Sequence, residues 1–145
     1  ALRAGLQAAP WLVKPNTEEL GEVLGLAVDN PAQQRAAAER LLAAGVEHVV
    51  VSAGEQGVSW FRRDLAVHAC PPKVRVASTV GAGDSLVAGM VHGLLQGEAP
   101  AQTLIRATAI AAQAVTQVGF GIRDREQLER LEAAVQLTEQ QEGCR

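Results

Sequence analysis

Apolar positions follow two different periods along the first half of the chain. The short apolar run Trp11–Val13 and the valine-rich segment Val46–Val51 are bounded by turn residues and predict buried strands. Between these runs the apolar residues recur at helical spacing, and each helical stretch follows an asparagine that can cap it, Asn16 or Asn30. Gly45 marks the expected end of the second helix. The order strand, helix, helix, strand predicts an α/β domain with a largely parallel sheet.

The second half of the chain predicts a hairpin and then a series of helices. The segments "VSWF" and "LAVHAC" flank Arg62-Arg63-Asp64, which is the pattern of two strands joined by a turn. The first of the following helices is expected to begin at about Gly83 or Asp84. Gly89 and Gly93 lie four residues apart on it, so this helix is expected to pack closely on a neighbour. No internal repeat is present, and residues 1–145 are expected to form one domain or part of one.

The composition narrows the range of partners. The chain has 145 residues, of which 48% are hydrophobic and 20% charged, as in ordinary globular domains. A net charge of −3 and an aromatic content of 3% argue against a nucleic-acid partner, and no basic run favours a membrane surface. Cys70 and Cys144 lack the spacing of a zinc site or a disulfide framework, so we expect a reducing, cytoplasmic location.

The segment "STVGAGDSLVAG", Ser78–Gly89, places small residues and one carboxylate in front of an apolar helical stretch. Gly81 and Gly83 have no Cβ, so a ligand can approach the backbone closely. The unpaired N–H groups at a helix start favour an anion, and Asp84 lies within that site. Asp84 could be a simple helix cap, but a cap gives no reason for the two glycines.

Two common phosphate-binding loops do not fit this segment. A Walker loop ends in Gly-Lys-Ser/Thr, which is absent, and a dinucleotide fingerprint needs a third glycine where Leu86 stands. An acid at an anion site is useful when it takes the proton of an attacking hydroxyl, while the N–H groups stabilise a phosphoryl group in transfer. Phosphoryl transfer is therefore the function that the segment favours.

The same segment resembles the second signature of the ribokinase-like (PfkB) carbohydrate kinases. The resemblance implies the C-terminal portion of a three-layer α/β/α fold, with a largely parallel sheet and helices on both faces. It also implies that Gly81, Ala82 and Gly83 form an anion hole, with Gly83 beside the nucleotide. Asp84 is then the expected catalytic base, which deprotonates the sugar hydroxyl that attacks the γ-phosphate of ATP.

The segment "KPNTEEL" is explained, when taken alone, by a turn and a helix cap. Beside the glycine segment it resembles a Lys-Pro-Asn segment of the same kinases. The resemblance implies that Lys14 lies near the nucleotide phosphates, and that Asn16 and Glu19 organise Mg²⁺ through water. Oxygen ligands and retained waters suit this ion. The expected cofactors are therefore ATP and Mg²⁺.

The segment "SAGEQG" is explained, when taken alone, by a hairpin turn after the valine-rich strand. In the kinase family the end of this strand lines the ATP site. Open α/β sheets bind ligands at the carboxyl ends of their strands. The resemblance therefore implies that Ser52, Gly54 and Gly57 contact the nucleotide.

Ser78-Thr79 stands where many members of the family carry Asp-Thr. With "KPNTEEL", this departure resembles the bacterial 1-phosphofructokinases and their tagatose-6-phosphate kinase relatives. The reaction implied is phosphorylation of fructose 1-phosphate to fructose 1,6-bisphosphate by ATP, with tagatose 6-phosphate as the alternative substrate. The change from Asp to Ser leaves open whether a monovalent-cation site is present.

The resemblance covers nearly the whole chain but only the C-terminal half of such a kinase. The N-terminal sugar-binding part and its lid have no counterpart in these residues. The alternative function is therefore a catalytically incomplete nucleotide-binding fragment or an interaction module. The expected partners are a phosphosugar and ATP, with a homodimer as a further expectation and with neither nucleic acid nor membrane.

Overall fold

The computed structural model describes residues 5, 8–138 and 144. The strands of this part of the chain are β1 (Leu12–Val13), β2 (His48–Ser52), β3 (Val58–Arg62), β4 (Leu65–Cys70) and β5 (Gln136–Thr138). Its helices are α1 (Thr17–Leu24), α2 (Pro31–Ala43), α3 (Ala82–Gln96), α4 (Pro100–Val115) and α5 (Arg125–Ala134). A short 3₁₀ turn, Gly54–Gln56, joins β2 to β3.

The five strands form one sheet in the order β1-β2-β3-β4-β5. β1 runs parallel to β2, with Leu12 opposite His48, and β2 runs antiparallel to β3, with Val50 opposite Trp60. The predicted α/β class and the predicted hairpin are confirmed. The sheet is mixed because β2 pairs parallel with β1 and antiparallel with β3. Arg62 pairs with Asp64 across the hairpin turn, with its Nε 2.6 Å from one carboxylate oxygen.

The chain divides into two compact units. The first contains Ala1–Gly54, Val58–His68 and Thr138–Arg145, and the second contains Glu55–Gly57 and Ala69–Leu137. Each unit has its own buried apolar residues, and each is described separately below.

The first unit buries α1 and α2 against β2. Both helices begin as the sequence predicts, because the Asn30 side chain accepts a hydrogen bond from the Gln33 N–H at 2.9 Å and Asn16 caps α1 in the same way. α2 ends at Ala43, and Gly45 follows with the positive φ of 101° expected of a terminating glycine. The core residues are Val13, Leu20, Val28, Ala37, Ala38, Leu41, Val46, Val49, Val51 and Phe61.

The second unit is built on a close contact between α3 and α4. A Cβ placed on Gly89 would lie 2.7 Å from the Ala107 Cα, and one placed on Gly93 would lie 2.6 Å from the Thr103 Oγ1. The predicted close packing of this helix is therefore confirmed. α5 is joined to α4 by Arg106, whose Nε lies 3.3 Å from a carboxylate oxygen of Glu132.

Two expectations from the sequence were wrong. α3 begins at Ala82, one or two residues before the expected start, because Gly81 takes up the left-handed conformation and ends the preceding turn. Cys70 and Cys144 are both disulfide-bonded, although their sequence spacing gave no sign of pairing. Within the described part of the chain, no helix has the length and apolar character that crossing a membrane requires.

Candidate active site

Three of the predicted site residues in the first unit lie at the carboxyl ends of β1 and β2. The parallel pairing continues past the strands, because the Ser52 N–H donates to the Pro15 carbonyl at 3.1 Å and Asn16 forms a bridge with Ser52. The Lys14 Nζ lies 3.4 Å from the Ser52 Oγ. The carboxyl edge of parallel strands is where open α/β sheets bind ligands. A cation, an amide and a hydroxyl therefore meet at this edge.

Asn16 and Glu19 form a complete capping box at the start of α1. The Asn16 Oδ1 accepts a hydrogen bond from the Glu19 N–H at 2.7 Å, and one carboxylate oxygen of Glu19 accepts one from the Asn16 N–H at 2.9 Å. The helix-cap explanation of "KPNTEEL" therefore holds. The other carboxylate oxygen of Glu19 accepts no hydrogen bond from the described residues, and its side chain is exposed. One oxygen of Glu19 thus remains available to a cation or its waters.

The turn after β2 depends on two glycines with positive φ. Gly54 has a φ of 57° and is exposed, whereas Gly57 has a φ of 99° and is buried. Side chains other than glycine rarely adopt such angles. The hairpin-turn explanation of "SAGEQG" therefore holds as well, and a role in nucleotide binding stays a prediction for these two residues.

The glycine segment forms a tight turn into α3 in the second unit. Gly81 is the N-cap residue, with a φ of 82° and no side-chain cap. The Ser85 N–H already donates to the Gly81 carbonyl at 2.9 Å, which starts the helical ladder. The N–H groups of Gly83 and Asp84 have no acceptor among the described residues. Two backbone donors are therefore free at the positive end of the helix dipole, as an anion site requires.

The residues that precede this turn are hydrogen-bonded to the end of α4. The N–H groups of Ala77 and Ser78 both donate to the Val115 carbonyl, at 2.7 Å and 3.2 Å. The Ser78 hydroxyl in turn accepts a hydrogen bond from the Val80 N–H at 3.2 Å. The Ser78 side chain thus holds the turn itself.

Asp84 is the third residue of α3 and is not its cap. Its side chain is exposed and makes no hydrogen bond or ion pair within the described part of the chain. A carboxylate in the first turn is favoured by the helix dipole, but only by about 0.3–1 kcal/mol. The cap explanation therefore fails for Asp84, and a role as catalytic base stays a prediction.

Phe120 is a residue of this region that the sequence did not indicate. Its ring lies against Gly81, because a Cβ placed on Gly81 would be 3.0 Å from the Phe120 Cε1. The sequence pattern Gly119-Phe120-Gly121 predicts only a break between helices. Nothing in that pattern shows which part of the chain the aromatic ring contacts.

Residues 1–126 match the sequence profile of the pfkB family carbohydrate kinases. The chain belongs to this family. Relatives within the family include the 1-phosphofructokinase of Vibrio cholerae, 46% identical over 95% of this chain, and that of Escherichia coli strain K12, 48% identical over 94%. This chain covers 44% of the length of each. It therefore spans less than half of the curated relatives that it matches.

Solved structures of a phosphofructokinase and of a ribokinase share the fold. Escherichia coli phosphofructokinase-2 in complex with substrates and products is 30% identical, with a TM-score of 0.83 over 92% of this chain and 44% of its own. Arabidopsis thaliana ribokinase complexed with ribose and ATP is 26% identical, with a TM-score of 0.75 over 83% of this chain and 40% of its own. The predicted ribokinase-like fold is therefore confirmed.

Proposed function

We propose that this chain carries the phosphate-binding turn and the catalytic base of an ATP-dependent phosphosugar kinase. The proposed reaction converts fructose 1-phosphate and ATP to fructose 1,6-bisphosphate and ADP. The names of the relatives support the substrate. The observation that supports the chemistry is the turn into α3, where the Asp84 carboxylate and two backbone N–H groups have no hydrogen-bond partner among the described residues.

The second unit supplies the proton acceptor and the anion site. In the proposed reaction the Asp84 carboxylate takes the proton of the sugar hydroxyl, whose oxygen then bonds to the γ-phosphorus of ATP. The bond from that phosphorus to the β,γ-bridging oxygen breaks, and ADP leaves with the electron pair. The N–H groups of Gly83 and Asp84 stabilise the charge of the phosphoryl group in transfer, and Gly81 and Ala82 hold them in the turn.

The first unit supplies groups that suit ATP and Mg²⁺. The free, exposed carboxylate oxygen of Glu19 and the Asn16 side chain are hard donors, so they fit a magnesium ion held through water. Bound Mg²⁺ would neutralise charge on the nucleotide phosphates. Lys14, beside the Ser52 hydroxyl, adds a positive charge for the same phosphates. We assign nucleotide contacts to Ser52, Gly54, Gly57 and Gly83 on the family resemblance.

The decisive experiment replaces Asp84 by Asn in the complete gene product. Because a general base contributes about 10²–10⁴-fold to a rate, kcat should fall by that factor while the Kd of ATP changes little. Glu126→Gln is the matched control, since Glu126 is an exposed acid in the first turn of α5. A coupled ADP-release assay measures kcat. If kcat of Asp84→Asn stays near the wild-type value, the role of Asp84 is wrong.

A second candidate function follows from the coverage of the relatives. Because the chain spans 44% of their length, it could bind nucleotide without completing a phosphosugar site. The test measures ADP release by the 145-residue chain and by the complete gene product, each with fructose 1-phosphate. Release by both supports a kinase, whereas release by the complete gene product alone supports a nucleotide-binding fragment. Parallel assays with tagatose 6-phosphate and fructose 6-phosphate decide the substrate.

A cytoplasmic location and a homodimer are the remaining predictions for this protein. Sugar phosphates and ATP are cytoplasmic metabolites, so a cytoplasmic location stays our prediction, although the disulfide-bonded cysteines remove the cysteine argument for it. One structure of Escherichia coli phosphofructokinase-2 is of a tetrameric inhibited form. For this chain a homodimer remains the prediction, and sedimentation of the complete gene product tests it.

A further inference from the structure

Phe120 is an exposed aromatic residue in a loop that several contacts hold in place. Its exposed fraction is 76%, so burial in the described structure does not explain its position. The loop has positive φ at both neighbours, 106° at Gly119 and 87° at Gly121. The Gln117 amide donates to the Gly121 carbonyl at 2.8 Å and closes the loop. Local backbone features therefore present this ring at a defined place.

The Phe120 ring lies against the Cα of Gly81. A Cβ on Gly81 would lie 3.0 Å from the Phe120 Cε1 and 3.2 Å from its Cδ1, so the ring occupies the space above the Cα. Gly81 has the left-handed φ of 82° that turns the chain into α3. Glycine has the widest conformational freedom of any residue, so this conformation needs support from outside the turn. Hydrogen bonds to the Val115 carbonyl hold the residues before the turn, and the Phe120 ring is the side chain that lies within 4 Å of the Gly81 Cβ position itself.

We propose that Phe120 is a positioning residue, which packs on Gly81 and fixes the turn so that the N–H groups of Gly83 and Asp84 are directed at the phosphoryl group. This inference rests on the proposed kinase function. Preorganised donors stabilise a transition state without reorganising during the reaction. A turn that moves by about 1 Å costs a large part of that stabilisation, up to about 100-fold in rate.

The test replaces Phe120 by Ala and by Leu in the complete gene product. Phe120→Ala should lower kcat by about 10-fold and leave KM for the phosphosugar within about 2-fold, because the lost interaction acts on the transition state. Phe120→Leu keeps an apolar group over Gly81 and should recover most of kcat. Val118→Ala is the matched control. Val118 is also 76% exposed in this loop, but it is not among the atoms near the Gly81 Cβ position.

Backbone dynamics give a readout that does not depend on activity. In Phe120→Ala, the NMR order parameters of Gly81–Asp84 should fall from about 0.85 towards about 0.6, and those of Val118→Ala should not change. Unchanged order parameters in Phe120→Ala overturn the proposal, as does an equal loss of kcat in Val118→Ala. If the order parameters fall but the wild-type protein phosphorylates no phosphosugar, the proposed function fails and the positioning role of Phe120 stands.

Discussion

Gly93→Ala is the substitution whose effect on stability follows most directly from the packing of α3 on α4. The new Cβ would lie 2.6 Å from the Thr103 Oγ1, 2.7 Å from its Cγ2 and 2.9 Å from its Cβ. Carbon atoms pack best at about 3.5–4.0 Å. Rotation of the Thr103 side chain cannot relieve the contact with the Thr103 Cβ, which the α4 backbone fixes. The two helices must therefore move apart by about 1 Å.

The magnitude is the difference of two opposing effects. Forcing an extra carbon into a packed interface costs about 1–3 kcal/mol. Replacing a helical glycine by alanine returns about 0.5–1 kcal/mol through lower backbone entropy. Gly93→Ala should therefore lower the free energy of unfolding by about 1–2 kcal/mol. Urea unfolding followed by far-UV circular dichroism measures this change, and an unfolding free energy at or above the wild-type value would refute the packing argument.

Thr103→Ala provides the internal control for this prediction. The Thr103 hydroxyl is buried and has no hydrogen-bond partner among the described residues, so its removal breaks no hydrogen bond. Thr103→Ala also removes two of the three atoms that crowd the new Cβ on Gly93. In a double-mutant cycle the two changes should therefore couple favourably by about 1 kcal/mol, within the range seen for residues in contact. Strictly additive changes would contradict a contact between these positions.

Two further predictions concern the first unit. Glu19→Gln keeps a side-chain oxygen for the Asn16 N–H, so the unfolding free energy should change by less than about 0.5 kcal/mol. The Mg²⁺ concentration for half-maximal activity should rise severalfold, because the carboxylate charge is lost. Glu18→Gln, at the exposed neighbour, is the control and should change neither quantity. Burial lowers the pKa of His48, whose Nδ1 accepts a hydrogen bond from the Trp60 Nε1–H at 3.3 Å. The contribution of neutral His48 to the unfolding free energy should therefore be complete above about pH 6.5 and should be lost as the pH falls through the lowered pKa. His48→Gln should reduce this slope in urea unfolding at pH 5.5 and 7.5, and an unchanged slope would assign it to other groups.

Local signals in the sequence predicted most of the elements correctly. Asn16, Asn30 and Gly45 mark helix ends because capping depends on residues within one turn of each other. Gly89 and Gly93 predicted a close helix contact because small residues at helical spacing leave room for a neighbour. These inferences hold because the physical cause of each lies within a few residues of the signal.

Features that depend on contacts distant in sequence were not predicted. The ring of Phe120 lies against Gly81, 39 positions earlier, and no periodicity links the two residues. The disulfide-bonded state of Cys70 and Cys144 was not predicted either, since neither cysteine stands in a local sequence pattern that indicates a disulfide. The start of α3 was misplaced by one or two residues because the sequence shows a glycine but not which glycine is left-handed.

A helix cap was the simple explanation of both Asn16 and Asp84 in the sequence. In the structure this explanation holds for Asn16 and fails for Asp84. The Asn16 side chain accepts the hydrogen bond of a cap, so stability alone is enough to explain its presence, and its removal should cost about 1 kcal/mol. Asp84 lies past the cap, and its carboxylate has no partner in the described part of the chain, so stability explains at most the small effect of the helix dipole. Asp84→Asn should therefore lower the free energy of unfolding by less than about 1 kcal/mol while it removes most of the turnover. A large loss of stability in this variant would mean that the carboxylate has a structural partner, and its assignment as a base would lose its main support.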